Sequence, residues 1–148
     1  MKTHPYLRAY LAGTFVPTLV LPLLLVVFIV ARVVMRLPVP IEQGMIFPMA
    51  VVPLLWGVWN IGWQALQPHT RVSIGAHGAV LPLVLAPLGG ETAHALGVLQ
   101  FGATGLTWFH MLTLPYGVIA PGFLGALVLY YLAWKYIVGF LNRVLGIA

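Results

Sequence analysis

Long apolar runs separated by short polar stretches dominate this chain of 148 residues. A helix needs about 20 residues to cross the hydrocarbon core of a bilayer, and most of the runs reach that length. The pattern therefore predicts an all-α fold: a polytopic membrane bundle of four to five transmembrane helices in a single domain. The predicted segments are residues 10–31, 45–66, 72–88, 93–114 and 116–141.

Composition and charge agree with a membrane location. Hydrophobic residues make up 61% of the chain and charged residues 6%, which lies outside the range of soluble domains. The basic residues are scattered between the runs, so nucleic acid is not an expected partner and the net charge of +5 predicts contact with anionic lipid headgroups. We expect membrane lipids as partners, together with further copies of the chain or subunits of a larger complex, in a bacterial inner membrane.

The first run ends on Arg32 without a small-x-small cleavage site, which predicts a retained helix and no cleaved signal peptide. Two topologies remain open for residues 72–114. If all five segments span, three basic residues lie on the N-terminal side and four on the other, so charge does not choose an orientation. If residues 72–114 cross only once, the division is five against two, with both termini in the cytoplasm. The length of this stretch favours five segments, with 93–114 as the irregular one.

A repeated pattern, Gly-x3-Pro-x4-Pro-Leu, occurs in the first three runs, and the last run holds a partial copy. Proline cannot donate a hydrogen bond to the carbonyl four residues back and crowds it, so a glycine at that position lets the backbone yield. The pattern favours kinked helices, although the general abundance of Gly and Pro in membrane helices, or an ion site made of unwound carbonyls, would also account for it. The predicted kink positions are Gly13, Pro17, Gly44, Pro48, Gly78, Pro82 and Pro121.

Polar residues recur at helical spacing within the second, third and fourth runs. In the five-segment arrangement most of them lie near one surface, as a cluster that either joins the helices by hydrogen bonds or binds a ligand. The candidate residues are Asn60, Gln64, His77, Gln100, Thr107 and His110.

His77 lies among small residues and His110 is predicted at similar depth, so haem b or a metal ion between the two histidines is the alternative to a site without a cofactor. Clustered aromatic residues also allow a quinone or another flat lipid-soluble ligand. The chain has no aspartate and no cysteine, so Ser-His-Asp triads and thiolate sites are excluded and no catalytic residue is assigned. We expect a non-catalytic transport or ligand-binding bundle or a small subunit of a membrane complex, with a redox subunit using both histidines as the alternative.

Overall fold

The computed structural model describes residues 4–38 and 40–147 and shows a mostly helical chain with one small sheet. A 3₁₀ turn at Gln67–His69 follows α2, and a π-helical segment, Ala133–Val138, joins α4 to α5 in one continuous stretch. The elements are α1 (Pro5–Val33), α2 (Ile41–Leu66), α3 (Ile74–Ala95), β1 (Leu99–Phe101), β2 (Gly105–Trp108), β3 (Leu112–Pro115), α4 (Tyr116–Leu132) and α5 (Gly139–Val144).

The chain passes back and forth four times, so the bundle has two distinct ends. The terminal end holds the start of α1, residues 67–73 and α5, and the sheet end holds residues 34–38 and the three strands. At the sheet end, Arg32 of α1 forms an ion pair of 2.7 Å with Glu42 of α2. Helix α1 contacts the last helical stretch through the π segment and α5, which closes the bundle at the terminal end.

The predicted fourth helix, residues 93–114, is wrong, and the all-α class is confirmed only in part, because the chain is mostly helical but also has a small sheet. These residues form the end of α3 and an antiparallel sheet in the order β1-β2-β3. Helix α3 ends because Gly97 has a φ of +71°, and the amide of Val98 donates back to Ala93 O at 2.8 Å. This is the reversed cap that glycine favours at a helix C-terminus. Four helices in the described part of the chain are long and apolar enough to cross a membrane.

Two buried asparagines join the helices at the terminal end. Asn60 of α2 is fully buried and Asn142 of α5 is 1% exposed. The amide of Asn60 donates to Asn142 Oδ1 at 2.8 Å and to Ala9 O of α1 at 2.7 Å, and Asn142 donates back to Asn60 Oδ1 at 3.1 Å. Because both amides are removed from solvent, each depends on the other for its hydrogen bonds. We call these residues the asparagine lock.

The end of α5 folds onto α1 beside the asparagine lock. Gly146 has a φ of +64°, and the amide of Ile147 donates to Asn142 O at 2.8 Å. This cap turns Ile147 onto Ala9 of α1, where it is buried. The guanidinium of Arg8 donates to Leu145 O. The last residues of the described chain are therefore fixed against the first helix by apolar and polar contacts.

Two of the repeated glycines lie where another element comes closest. A Cβ at Gly13 would lie 2.5 Å from Trp56 O of α2, and one at Gly78 would overlap the side chain of Trp134. Gly44 has no room either, because a Cβ there would lie 2.9 Å from the ring of Phe109. The repeated glycine is thus explained by close packing, which small residues permit between membrane helices.

The paired prolines do not interrupt the helices. Helices α1, α2 and α3 each continue through both of their prolines, and the kinks near them stay a prediction. Pro17, Pro22 and Pro53 line a small cavity of about 160 Å³ between α1 and α2.

An aromatic cluster fills the centre of the bundle. Trp134 is fully buried and packs with Trp56, Leu81 and Val138. The ring centres of Trp56 and Trp134 lie 5.3 Å apart, and those of Trp56 and Tyr130 lie 5.0 Å apart. Gly78 admits the Trp134 indole, so the π segment is held at a fixed position along α3.

We predict that Asn142→Leu lowers the free energy of unfolding by about 1–2 kcal/mol, because it leaves the buried amide of Asn60 with only its hydrogen bond to Ala9 O. Asn60→Leu should have a similar or larger effect, and the double variant should lose less than the two single losses combined. Unfolding in mild detergent, followed by circular dichroism, measures this. Gln64→Leu is the control, since the side-chain oxygen of Gln64 is buried without a hydrogen bond among the described residues. Additive losses would contradict a coupled pair.

We also predict that Gly78→Ala lowers the free energy of unfolding by about 1–3 kcal/mol, because the added methyl group must displace the Trp134 side chain. Gly62→Ala is the matched control on α2, because no atom lies within 4 Å of a Cβ there. The control should be neutral or slightly stabilising, as alanine favours helix. Equal stability of the two variants in the same unfolding assay would rule out the close contact.

Candidate functional site

The predicted polar cluster is divided between the two ends of the bundle. Asn60 belongs to the asparagine lock, and Gln64 lies one turn further along α2. His77 lies in the first turns of α3, also towards the terminal end. The other three candidates, Gln100, Thr107 and His110, belong to the sheet or its turn at the opposite end. The structure therefore does not bring the six residues together.

His77 and His110 are too far apart to bind one haem or one metal ion. His77 contacts Trp59 in the second half of α2, whereas Phe109, next to His110, contacts Gly44 near the start of that helix. The helix from Gly44 to Trp59 rises about 22 Å. Within residues 4–38 and 40–147, no three histidine or acidic side chains are grouped as a metal site would require. The arrangement gives no support to the alternative that uses both histidines.

His77 instead joins α3 to α2 through an aromatic contact. Its Nε2 lies 3.1 Å from Trp59 O, and the indole of Trp59 donates to His77 O at 2.9 Å. Because a carbonyl only accepts hydrogen bonds, Nε2 must carry the proton. The imidazole stacks on Trp59 at 5.0 Å and lies 5.4 Å from Trp63. This side chain thus has a structural role.

A cavity lies at the sheet end, between the first half of α2 and the second half of α3. Its volume of about 510 Å³ is within the range of small-molecule sites. Gly44, Pro48 and Val52 follow one another at successive turns and form the α2 wall. Leu85 and Gly89 belong to the α3 wall. The walls contain glycine and proline residues, whose small or compact side chains leave space between the two helices.

The sheet forms the roof of this cavity. Strand side chains alternate between faces, and Leu106 and Trp108 of β2 line the cavity. Thr107, between them, bonds through its hydroxyl to that of Thr113 at 3.0 Å on the other face. Its partner on β1, Gln100, is exposed. Gln100 and Thr107, which were predicted on a polar face of a helix, thus belong to the outer face of a sheet.

An unusual turn fixes the roof to α2. Phe109 and His110, at the tip between β2 and β3, have φ of 53° and 59°, a conformation that costs most side chains about 1–2 kcal/mol each. The amide of Phe109 donates to Val98 O at 2.7 Å. The ring of Phe109 rests against Gly44. A strained turn therefore holds an aromatic ring over the beginning of α2.

The floor of the cavity is Tyr130 of α4, which rests on Trp56. The indole nitrogen of Trp56 is buried and has no hydrogen-bond partner among the described residues. Below the floor, the aromatic cluster and the asparagine lock fill the bundle. The cavity is thus closed towards the terminal end.

Polar groups occur at the mouth of the cavity. Gln43 lies near the start of α2 and Glu91 near the end of α3, and both are exposed. Glu91 is the charged member of the described lining. The site combines an apolar interior with a carboxylate at its rim, which is an arrangement for binding an amphipathic molecule.

Comparison with known proteins gave no relative. No family model, curated protein or solved structure matches this chain. The geometry of the cavity is therefore the basis for a functional conclusion.

Two features of the site were not anticipated from the sequence. Asn142 was assigned no role, although Asn60 and Asn142 are the only asparagines of the chain and both lie in apolar surroundings. That rarity was a usable signal. The cavity itself had no signal at the level of single residues, since its walls are made of the same Gly, Pro, Leu and Val that occur in every run.

Proposed function

We propose that this protein is an integral protein of a bacterial inner membrane that binds a lipid-soluble molecule in the cavity beneath the sheet. The cavity carries the proposal, because an apolar space of about 510 Å³ is costly to leave filled with water and suits an apolar ligand. Four aromatic side chains, Phe47, Phe101, Trp108 and Tyr130, line it and favour a ligand with flat rings.

Insertion in a membrane is supported by the outer surface of the bundle. Large apolar side chains are exposed along α1 and along α4, for example Leu23 at 68% and Leu129 at 67%. Exposed apolar surface of this extent is unfavourable in water and expected in lipid. Each of the four long helices is sufficient in length to span the hydrocarbon core.

The four-helix path supports an orientation. Four basic residues of the described chain, Arg8, Arg71, Lys135 and Arg143, belong to the terminal end, whereas Arg32 and Arg36 belong to the sheet end. The positive-inside rule then favours cytoplasmic termini and a sheet on the opposite side of the membrane.

We predict the accessibility of single cysteines introduced into this cysteine-free chain. In spheroplasts, Ala103→Cys in the turn between β1 and β2 should react with a membrane-impermeant maleimide. Thr70→Cys, between α2 and α3, should react only after lysis. Both positions are exposed in the structure, so a difference in labelling reports their side of the membrane. Labelling of both positions before lysis would contradict a four-helix membrane path.

The closed terminal end supports binding over passage across the membrane. A channel would need a continuous path, whereas the aromatic cluster and the asparagine lock occupy the interior below the cavity. The protein then acts without catalysis, as a binding or delivery subunit whose ligand enters and leaves at the sheet end. A role as a small subunit of a membrane complex is compatible with the same site.

We predict that the neutral fluorophore N-phenyl-1-naphthylamine binds to the protein in nanodiscs above the level of empty nanodiscs. Leu85→Trp fills the cavity and should weaken binding by on the order of tenfold or more, since the indole occupies the space of the ligand. Fluorescence titration measures the dissociation constant.

Leu83→Trp is the control for that variant. Leu83 is on the same helix, is 52% exposed and does not line the cavity, so its replacement should leave binding unchanged. Thermal unfolding of both variants checks the fold, and Gly89→Leu provides a second obstruction at the wall if Leu85→Trp is unstable. Equal binding by the obstructed and control variants would refute the cavity as the site.

A further inference from the structure

The rim of the cavity carries a negative charge that the structure leaves uncompensated. Glu91 forms no salt bridge among the described residues. The other acidic residue of the chain, Glu42, lies on the same end of the bundle but is paired with Arg32 at 2.7 Å. Of the two carboxylates, the one at the cavity is therefore the one available to a ligand.

We propose that the cavity selects lipid-soluble cations: molecules with an apolar, ring-containing body and a positively charged ammonium or phosphonium centre. This inference rests on the proposed function, because it names the ligand class of the same cavity. The body would occupy the space between α2 and α3, and the charge would lie towards Glu91.

Three features of the lining favour a cation over an anion or a neutral molecule. Glu91 supplies the charge, and no basic side chain lines the described cavity to oppose it. Glu91 lies in the last turns of α3, where the carbonyl ends of a helix add partial negative charge. Phe101 and Trp108 of the sheet present aromatic rings, whose faces attract cations, and the ring of Phe101 lies beside Gly90, next to Glu91.

Aromatic rings hold a cation elsewhere in this chain. The ammonium of Lys135 lies 5.5 Å from the ring centre of Tyr131 and 5.2 Å from that of Tyr136. Those contacts are on the outside of the π segment, whereas the rings of the cavity have no basic side chain of the protein among the lining residues. The cavity rings are thus left for a ligand.

The selectivity is tested with two ions of matched size and opposite charge, tetraphenylphosphonium and tetraphenylborate. Binding to the protein in phosphatidylcholine nanodiscs is measured by equilibrium dialysis, with empty nanodiscs subtracted. We expect the cation to bind the natural protein on the order of tenfold more tightly than the anion, as one partly solvated carboxylate allows. Glu91→Gln should remove this preference, and Glu91→Lys should reverse it.

Glu42→Gln is the matched control, because it removes the same charge from the same end of the bundle at a position outside the lining. It should keep most of the preference for the cation. Equal binding of the two ions by the natural protein, or a preference that survives Glu91→Gln, would overturn the inference.

The neutral fluorophore separates this failure from failure of the proposed function. If N-phenyl-1-naphthylamine binds and is displaced equally by both ions, the cavity is a ligand site without charge selection, and only the inference falls. If neither the fluorophore nor either ion binds above empty nanodiscs, the proposed function falls and the inference falls with it.

Discussion

The exchange of hydrogen bonds between Asn60 and Asn142 is the constraint on which the bundle depends. It joins α2 to α5, and the additional bond from Asn60 to Ala9 O brings in α1. An amide buried among apolar helices has few alternative partners, so the three elements can meet in only one register. With α5 fixed, the last helical stretch must pass along α3, where Gly78 receives Trp134.

The two ends of the bundle differ in how their helices meet. At the terminal end, Ala9, Ala12 and Gly13 allow α1 to approach α2 closely, and polar groups complete the contact. At the sheet end, rings and branched side chains separate α2 from α3 and leave a cavity. The close packing at the terminal end thus stabilises the bundle, whereas the sheet end contains the cavity. The three short strands cover that space, and the hydrogen bonds between them hold the cover together.

The sequence predicted the helices much better than the sheet. Residues 10–31, 45–66 and 116–141 fall within α1, α2 and the stretch from α4 to α5, because uninterrupted apolar runs of spanning length have few other structures open to them. Residues 93–114 were mistaken for a helix because strands of three or four residues are too short to show their alternation. Their polar side chains happened to recur every three or four positions. Gly97 lies within the predicted helix, whereas its positive φ ends α3.

The candidate site was predictable only in part, because the sequence does not show how its segments are arranged in space. The polar residues in the apolar runs included Asn60, and the structure shows its buried amide bonded to α1 and α5. The sequence could not show that His77 and His110 lie at opposite ends, because that depended on whether residues 93–114 cross the bundle. The cavity depends on the distance between α2 and α3, and the sequence of either helix alone does not determine that distance.

The turn at Phe109 and His110 has a consequence for how the roof can change. Asn-Gly is the pair that adopts two positive φ angles at least cost, and it would make a more stable hairpin at this place. It would also remove the ring that rests against Gly44. Variants selected for heat resistance alone would therefore be drawn towards a turn that lacks this contact between the sheet and α2. The natural pair keeps the local strain, and its Phe109 ring holds the sheet against α2 beside the cavity.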